Sequence, residues 1–62
     1  MGIKVTLPYD PIWAPLDWAK KYCSSYITND VHCDEFNTYI VTKIDYFFGN
    51  EQDAIWFGLR WA

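Results

Sequence analysis

Apolar and polar residues follow regular spacings along most of this 62-residue chain. Ile3, Val5 and Leu7 alternate with polar residues. This period of two predicts a half-buried strand, which Pro8 ends. Further on, apolar residues recur at steps of three and four, which predicts one buried face of a helix. These residues are Ile12, Leu16, Ala19, Cys23 and Tyr26.

Prolines leave the start of this first helix open between two positions. Asp10 is a good N-cap, and Pro11 suits the first helical position because its missing N–H would be unpaired there. Pro15 would clash with the preceding turn in a helix interior, so the alternative start is at Pro15, after a short turn at 12–14. In either case we expect the helix to end near residues 24–25.

The second half of the chain predicts a long strand and a second helix. Residues 38–48 are dense in β-branched and aromatic types and contain no Gly or Pro. This segment is longer than the usual strand, so we expect a bend or a bulge. Asn50 is expected to cap the helix, with Asp53 completing a variant of the capping box. The helix then buries an apolar stripe formed by Ala54, Phe57 and Trp61, widened by Ile55 and Leu59.

Residues 27–37, between the two halves, have no clear period, although Asn29 and Asp30 indicate a turn and a short strand is expected to follow. The predicted order is therefore strand, helix, strand, strand, helix. Residues 1–62 form a single α+β domain, in which two helices cover one face of a short, mainly antiparallel sheet.

The opposite face of this sheet is expected to be open. One side of the long strand carries both of its charges and is assigned to this outer face. It consists of Tyr39, Val41, Lys43, Asp45 and Phe47. Three of these residues are too apolar for bare solvent, which favours a homo-oligomer formed through the sheet face or an edge strand. The side that faces the helices consists of Ile40, Thr42, Ile44, Tyr46 and Phe48.

Aromatic residues are unusually frequent. The chain carries 4 Trp, 5 Tyr and 4 Phe. Each large ring can bury ~150–250 Å², so a core of this size cannot hide all of them. A contiguous apolar patch on a small protein usually marks an interface. The candidate partner-binding residues are Trp13, Trp18, Tyr22, Tyr39, Lys43, Asp45 and Phe47.

The net charge of −3 argues against nucleic acid as a partner, because phosphate binding depends on clustered Lys and Arg. Lys20 and Lys21 are the only adjacent basic pair. No apolar run approaches the ~18 residues of a membrane span, and no signal-peptide pattern follows Met1. We therefore expect a cytoplasmic protein with no membrane partner.

Residues that carry chemistry are few. His32 adjoins Cys33, but neighbours on an extended segment point to opposite sides, whereas catalysis needs side chains that face one another. Cys23, His32, Cys33 and Asp34 do not have the spacing of a zinc site. We expect no catalytic, metal or cofactor site, with Cys33 in the core and His32 on an exposed turn. Whether Cys23 and Cys33 pair is left open by the sequence.

Gly58 lies inside the second predicted helix, where glycine costs ~1 kcal/mol relative to alanine. This cost suggests that something packs closely against the helix there. Two explanations stay open, which are close contact with the protein's own sheet and contact with a second subunit.

The last quarter of the chain has a distinctive order of residues. Residues 46–61 run as an aromatic strand and an acidic turn, followed by Asp53-Ala54, two apolar residues, Phe57, a variable residue and Leu59-Arg60-Trp61. This order resembles the tail of small uncharacterised proteins encoded by tailed bacteriophages. Gly58 departs from the longer side chain expected at the variable position. The resemblance implies a phage source, but it carries no activity and no catalytic residues.

Small size, surplus aromatics and the phage-like tail lead to one main hypothesis. The protein is a non-enzymatic phage accessory protein that binds and inhibits a host or anti-phage defence protein. One alternative is an oligomeric sponge for a nucleotide-like signal, in which rings stack on the base and Lys43 or Arg60 meets the phosphate. Another is a minor structural subunit of the virion.

Overall fold

A computed structural model describes residues 2–62 of the chain. Five elements follow one another in the predicted β-α-β-β-α order, which confirms the α+β class. They are β1 (Ile3–Pro8), α1 (Ala14–Tyr22), β2 (Tyr26–Cys33), β3 (Val41–Phe48) and α2 (Glu51–Trp61).

The three strands form one antiparallel sheet in the order β1-β3-β2, so the strand richest in β-branched and aromatic residues is the central one. Leu7 of β1 and Val31 of β2 both lie opposite Ile44 of β3. This register places alternate apolar residues of all three strands on a common face.

Both helices pack on that face, as predicted. Ile44, Tyr46 and Phe48 of β3 are completely buried, and so is Phe57 of α2. The ring of Phe57 lies 4.9 Å from the ring of Tyr46 and 4.9 Å from that of Phe48, centre to centre. Burying a side chain of this size stabilises the fold by ~1.5–3 kcal/mol, so these residues supply much of the stability of so small a domain.

The start of α1 differs from the Asp10 alternative. Helix α1 begins at Ala14, with Pro15 in its second position, where a missing N–H leaves no partner unsatisfied. Trp13 precedes it with φ of 60°, in the left-handed region. The carboxylate of Asp10 instead accepts a hydrogen bond from the Ile12 backbone N–H at 2.9 Å, closing a turn before the helix. Ile12 is therefore exposed and does not belong to the buried helix face.

The turn expected at Asn29 and Asp30 is wrong, because both residues lie inside β2. Their backbones pair with Tyr46 and Asp45 of β3. Tertiary pairing of this kind overrides the local turn preference of Asn and Asp. Asn29 also accepts a hydrogen bond from the Tyr26 hydroxyl at 2.8 Å.

Strand β3 begins three residues later than predicted, at Val41. Tyr39 belongs to the preceding loop and not to the outer sheet face. Val41 packs against the core, because the pairing of β2 with β3 shifts register between His32 and Cys33. Cys33 is exposed and His32 lies within a strand, so the expected core cysteine and exposed turn are wrong.

Asn50 caps α2 as predicted, accepting a hydrogen bond from the Asp53 backbone N–H at 2.8 Å. The Asp53 carboxylate does not complete a capping box. Its Oδ2 accepts bonds from the backbone N–H of Ser25 at 3.0 Å and from the Ser25 hydroxyl at 2.6 Å. The start of α2 is thereby tied to the segment that joins α1 to β2.

The buried stripe of α2 is narrower than predicted. Ala54 and Phe57 are buried, whereas Ile55 and Leu59 are exposed. Gly58 does not pack against the sheet, because a Cβ added there would have no neighbour within 4 Å. Of the two explanations that the sequence leaves open for Gly58, close contact with the protein's own sheet is therefore wrong.

Candidate functional site

Six of the seven residues predicted to bind a partner lie on three different surfaces, and Trp13 lies on none of them. The outer sheet face is the side of the sheet that the helices leave uncovered. The helix aromatic cluster consists of Trp18 and Tyr22 of α1 with Trp56 and Trp61 of α2. The hairpin tip consists of residues 34–40, which connect β2 to β3.

Asp45 lies at the centre of the outer sheet face, as predicted, yet only 6% of it is exposed. Its Oδ1 accepts a hydrogen bond from the Thr6 hydroxyl at 2.5 Å, and its Oδ2 lies 2.5 Å from Nε2 of His32. The Thr6 bond first, and the His32 bond second, hold the pKa of the Asp45 carboxyl below its usual range. The carboxylate is thus ionised at neutral pH and already bound by its own neighbours.

Lys43 and Phe47 also lie on the outer sheet face, opposite His32 and Lys4 respectively. Phe47 is half-buried, and with the exposed Ile27 it flanks Gly2. Two residues that made this face apolar in the sequence analysis, Tyr39 and Val41, lie elsewhere. The outer sheet face is mainly polar as a result.

The helix aromatic cluster closes one edge of the core. The ring of Trp18 lies 5.0 Å from Trp56, 5.3 Å from Tyr22 and 6.4 Å from Trp61. Trp18 packs against the buried core, whereas Tyr22 and Trp56 are about half exposed. The structure therefore brings the predicted residues Trp18 and Tyr22 together with Trp56, whose place outside the predicted buried stripe of α2 was the available signal.

Trp13 does not join that cluster. It is half-buried against the core and meets the ring of Tyr9 edge-on at 6.0 Å. Its main role in the described structure is to cover the connection between β1 and α1.

The hairpin tip carries the most exposed aromatic residues of the described chain. Phe36 is 91% exposed and Tyr39 is 94% exposed. Ile40 beside them is half exposed. Tyr39 was among the predicted partner-binding residues, although in a different element, and Phe36 was missed.

Two consecutive Asx-turns hold the backbone at these aromatics. The Asp34 carboxylate accepts a hydrogen bond from the Phe36 N–H at 2.8 Å, and the Asn37 side chain accepts one from the Tyr39 N–H at 3.0 Å. The Asp34 N–H donates to the Ile40 carbonyl at 2.8 Å and closes the base of the loop. Asp and Asn favour such turns because their short side chains reach the backbone two residues on. An Asp or Asn placed two residues before each aromatic was the sequence signal.

The described side chains form no group of three or more that is placed to hold a metal ion, and the described surface encloses no pocket. Neither described helix is long and apolar enough to cross a membrane. Lys43 lies on the outer sheet face, whereas Arg60 lies over the ring of Trp61, 4.4 Å from its centre, on the helix side. One subunit thus does not bring these two cations together.

Comparison with known proteins gives no family match, no similar curated protein and no similar solved structure.

Proposed function

We propose that the protein is a non-enzymatic binding protein that docks on another protein through its hairpin tip. The observation that carries this proposal is the near-complete exposure of Phe36 and Tyr39 on a loop with a hydrogen-bonded backbone. Burial of a large apolar side chain contributes ~1.5–3 kcal/mol of favourable free energy. The exposed rings of Phe36 and Tyr39 do not gain this contribution in the free protein. A loop that is already ordered also lowers the entropic cost of binding.

The shape and charge of the hairpin tip indicate the chemistry of the partner. Two protruding rings fit an apolar cleft, and aromatic residues are the usual anchors of such interfaces. Asp34 and Glu35 stand beside Phe36, so a cleft with a basic rim matches the tip better than an acidic one. The partner is therefore a protein with an apolar cleft bordered by Lys or Arg.

The biological setting of the proposal comes from the phage-like tail. The resemblance of residues 46–61 to small phage proteins supports a phage accessory protein that acts in the host cytoplasm on a host or anti-phage defence protein. Filling a cleft that the target needs for its own ligand or partner would inhibit that target.

Photo-crosslinking in the natural host cells tests the proposal. A photoreactive phenylalanine analogue replaces Phe36 or Tyr39, and the crosslinked protein is identified and purified. The matched control carries the analogue at Ile12, which is 81% exposed but lies outside the hairpin tip.

We expect one protein to crosslink at positions 36 and 39 but not at position 12, and to bind the unmodified chain after purification. Binding is expected to weaken with added salt, because the rim contact is electrostatic. Equal crosslinking at all three positions, or crosslinks to lipid in place of protein, would contradict the proposal.

A further inference from the structure

The outward face of α2 combines exposed large residues with an unfilled notch. Leu59 is 81% exposed and Ile55 is 54% exposed, one helical turn apart on the same face. Gly58 lies beside them with open space where its Cβ would be. The protein's own sheet therefore does not account for this glycine, which costs the helix ~1 kcal/mol relative to alanine.

The order of large and small residues along this face fits the same face of a second copy that runs in the opposite direction. Ile55, Gly58 and Leu59 of α2, with Ala62 that caps its C-terminal end, run large, small, large, small. If a second α2 runs antiparallel, with the midpoint between residues 58 and 59, then Leu59 meets Gly58 of the other copy and Ile55 meets Ala62. A two-fold axis makes both contacts twice, as in any isologous dimer.

We propose that the protein forms a two-fold homodimer by antiparallel packing of α2 against α2 of a second copy. The small residue at position 58 lets the two helices approach closely, and the Leu59 side chains fill the two notches. Because one face carries both the projecting Leu59 and the notch at Gly58, a second copy of the chain can fill the notch and a different protein is not needed. This inference is independent of the proposed function, since the hairpin tip takes no part in it.

Electrostatics favour the antiparallel orientation. The acidic first turn of α2, with Glu51 and Asp53, then lies beyond the C-terminal end of the other helix and away from the equivalent acidic turn. The two helix dipoles also oppose one another.

The size of the face sets the expected strength. Helix α2 has 11 residues and is ~16 Å long. Tyr22 and Trp56, whose rings lie 6.3 Å apart, extend the exposed surface onto α1. A face ~16 Å long and about one helix diameter, ~10 Å, across is smaller than the ~800 Å² per partner of a standard interface. We therefore expect dissociation in the micromolar range.

Sedimentation equilibrium of the purified chain at concentrations up to ~100 µM tests this dimer. The variants are Leu59→Ser, which removes the projecting side chain, and Gly58→Leu, which fills the notch. The matched control is Ile12→Ser, because Ile12 is 81% exposed like Leu59 but lies outside α2. Far-UV circular dichroism checks that each variant keeps the fold, which the open surroundings of positions 58 and 59 allow.

We expect the unmodified chain and Ile12→Ser to form the dimer. For Leu59→Ser and for Gly58→Leu we expect the dissociation constant of the dimer to be at least ~10-fold higher. A chain that is strictly monomeric over this range would overturn the proposal. A dimer that survives either α2 substitution would also overturn it, and would indicate association through the sheet face or an edge strand.

Discussion

At the scale of single residues, Asp45 shows how a position is predictable when its contacts are not. The alternation along β3 assigns Asp45 to the outer sheet face, where it lies. Its partners Thr6 and His32 come from two other strands, 39 and 13 residues away in the chain. Only the register of the sheet brings them together, and the register depends on the bulges and turns that the sequence did not define.

The lowered pKa of Asp45 makes a prediction for stability against pH. The ionised form is favoured in the folded protein, so its contribution to the free energy of unfolding is fully present above the unfolded pKa, ~3.9. It is lost as pH falls through the lower folded pKa. Urea unfolding of the unmodified chain and of Asp45→Asn from pH 6 to pH 2 measures this contribution.

The difference in unfolding free energy between these two proteins is expected to shrink below about pH 4. A difference that stays constant from pH 6 to pH 2 would show that the charge of Asp45 does not stabilise the fold.

At the scale of elements, both helices follow from periodicity and the central strand from its β-branched and aromatic residues, while the boundaries follow from particular contacts. Strand β2 was hidden because Asn29 and Asp30 have the wrong local preference and are held by pairing with β3. The start of α2 was correctly assigned to Asn50. The bond between Asp53 and Ser25 was not predictable, because the two residues are 28 apart in the chain.

Asp53→Ala is expected to destabilise the protein by ~1.5–3 kcal/mol, since hydrogen bonds to an ionised group are the stronger kind. The substitution removes the carboxylate that receives both bonds from Ser25. Glu51→Ala in the same first turn is the control and is expected to cost at most ~1 kcal/mol, through the helix dipole alone. Urea denaturation measures both, and equal losses would mean that the link to Ser25 contributes nothing.

The Asx-turns of the hairpin tip give a prediction for the free protein. Replacing Asp34 and Asn37 together by alanine removes the side-chain acceptors of the Phe36 and Tyr39 N–H groups. We expect faster amide hydrogen exchange at Phe36 and Tyr39, with exchange in the centre of β3 unchanged. Exchange that is equally fast before the substitution would mean that the tip is not ordered in advance of binding.

At the scale of the whole molecule, the fold class could be predicted from the sequence and the proposed binding surface only in part. Surplus aromatics correctly indicated rings on the surface, but composition does not say which ones. Trp18 packs partly against the core, and Asp45 is hydrogen-bonded to its own neighbours. Val41 packs against the core because of a register shift. The most exposed aromatic residues lie on a loop, which hydrophobic periodicity does not describe.

We propose that the hairpin tip, and not the helix aromatic cluster, binds the partner. The most direct test is the affinity for the crosslinked and purified partner, measured for two double variants by titration calorimetry. One is Phe36→Ser with Tyr39→Ser, and the other is Tyr22→Ser with Trp56→Ser. Two aromatic anchors at ~2 kcal/mol each predict a loss of at least ~100-fold for the tip variant and less than ~3-fold for the cluster variant. A larger loss for the cluster variant, with its fold intact, would contradict the claim.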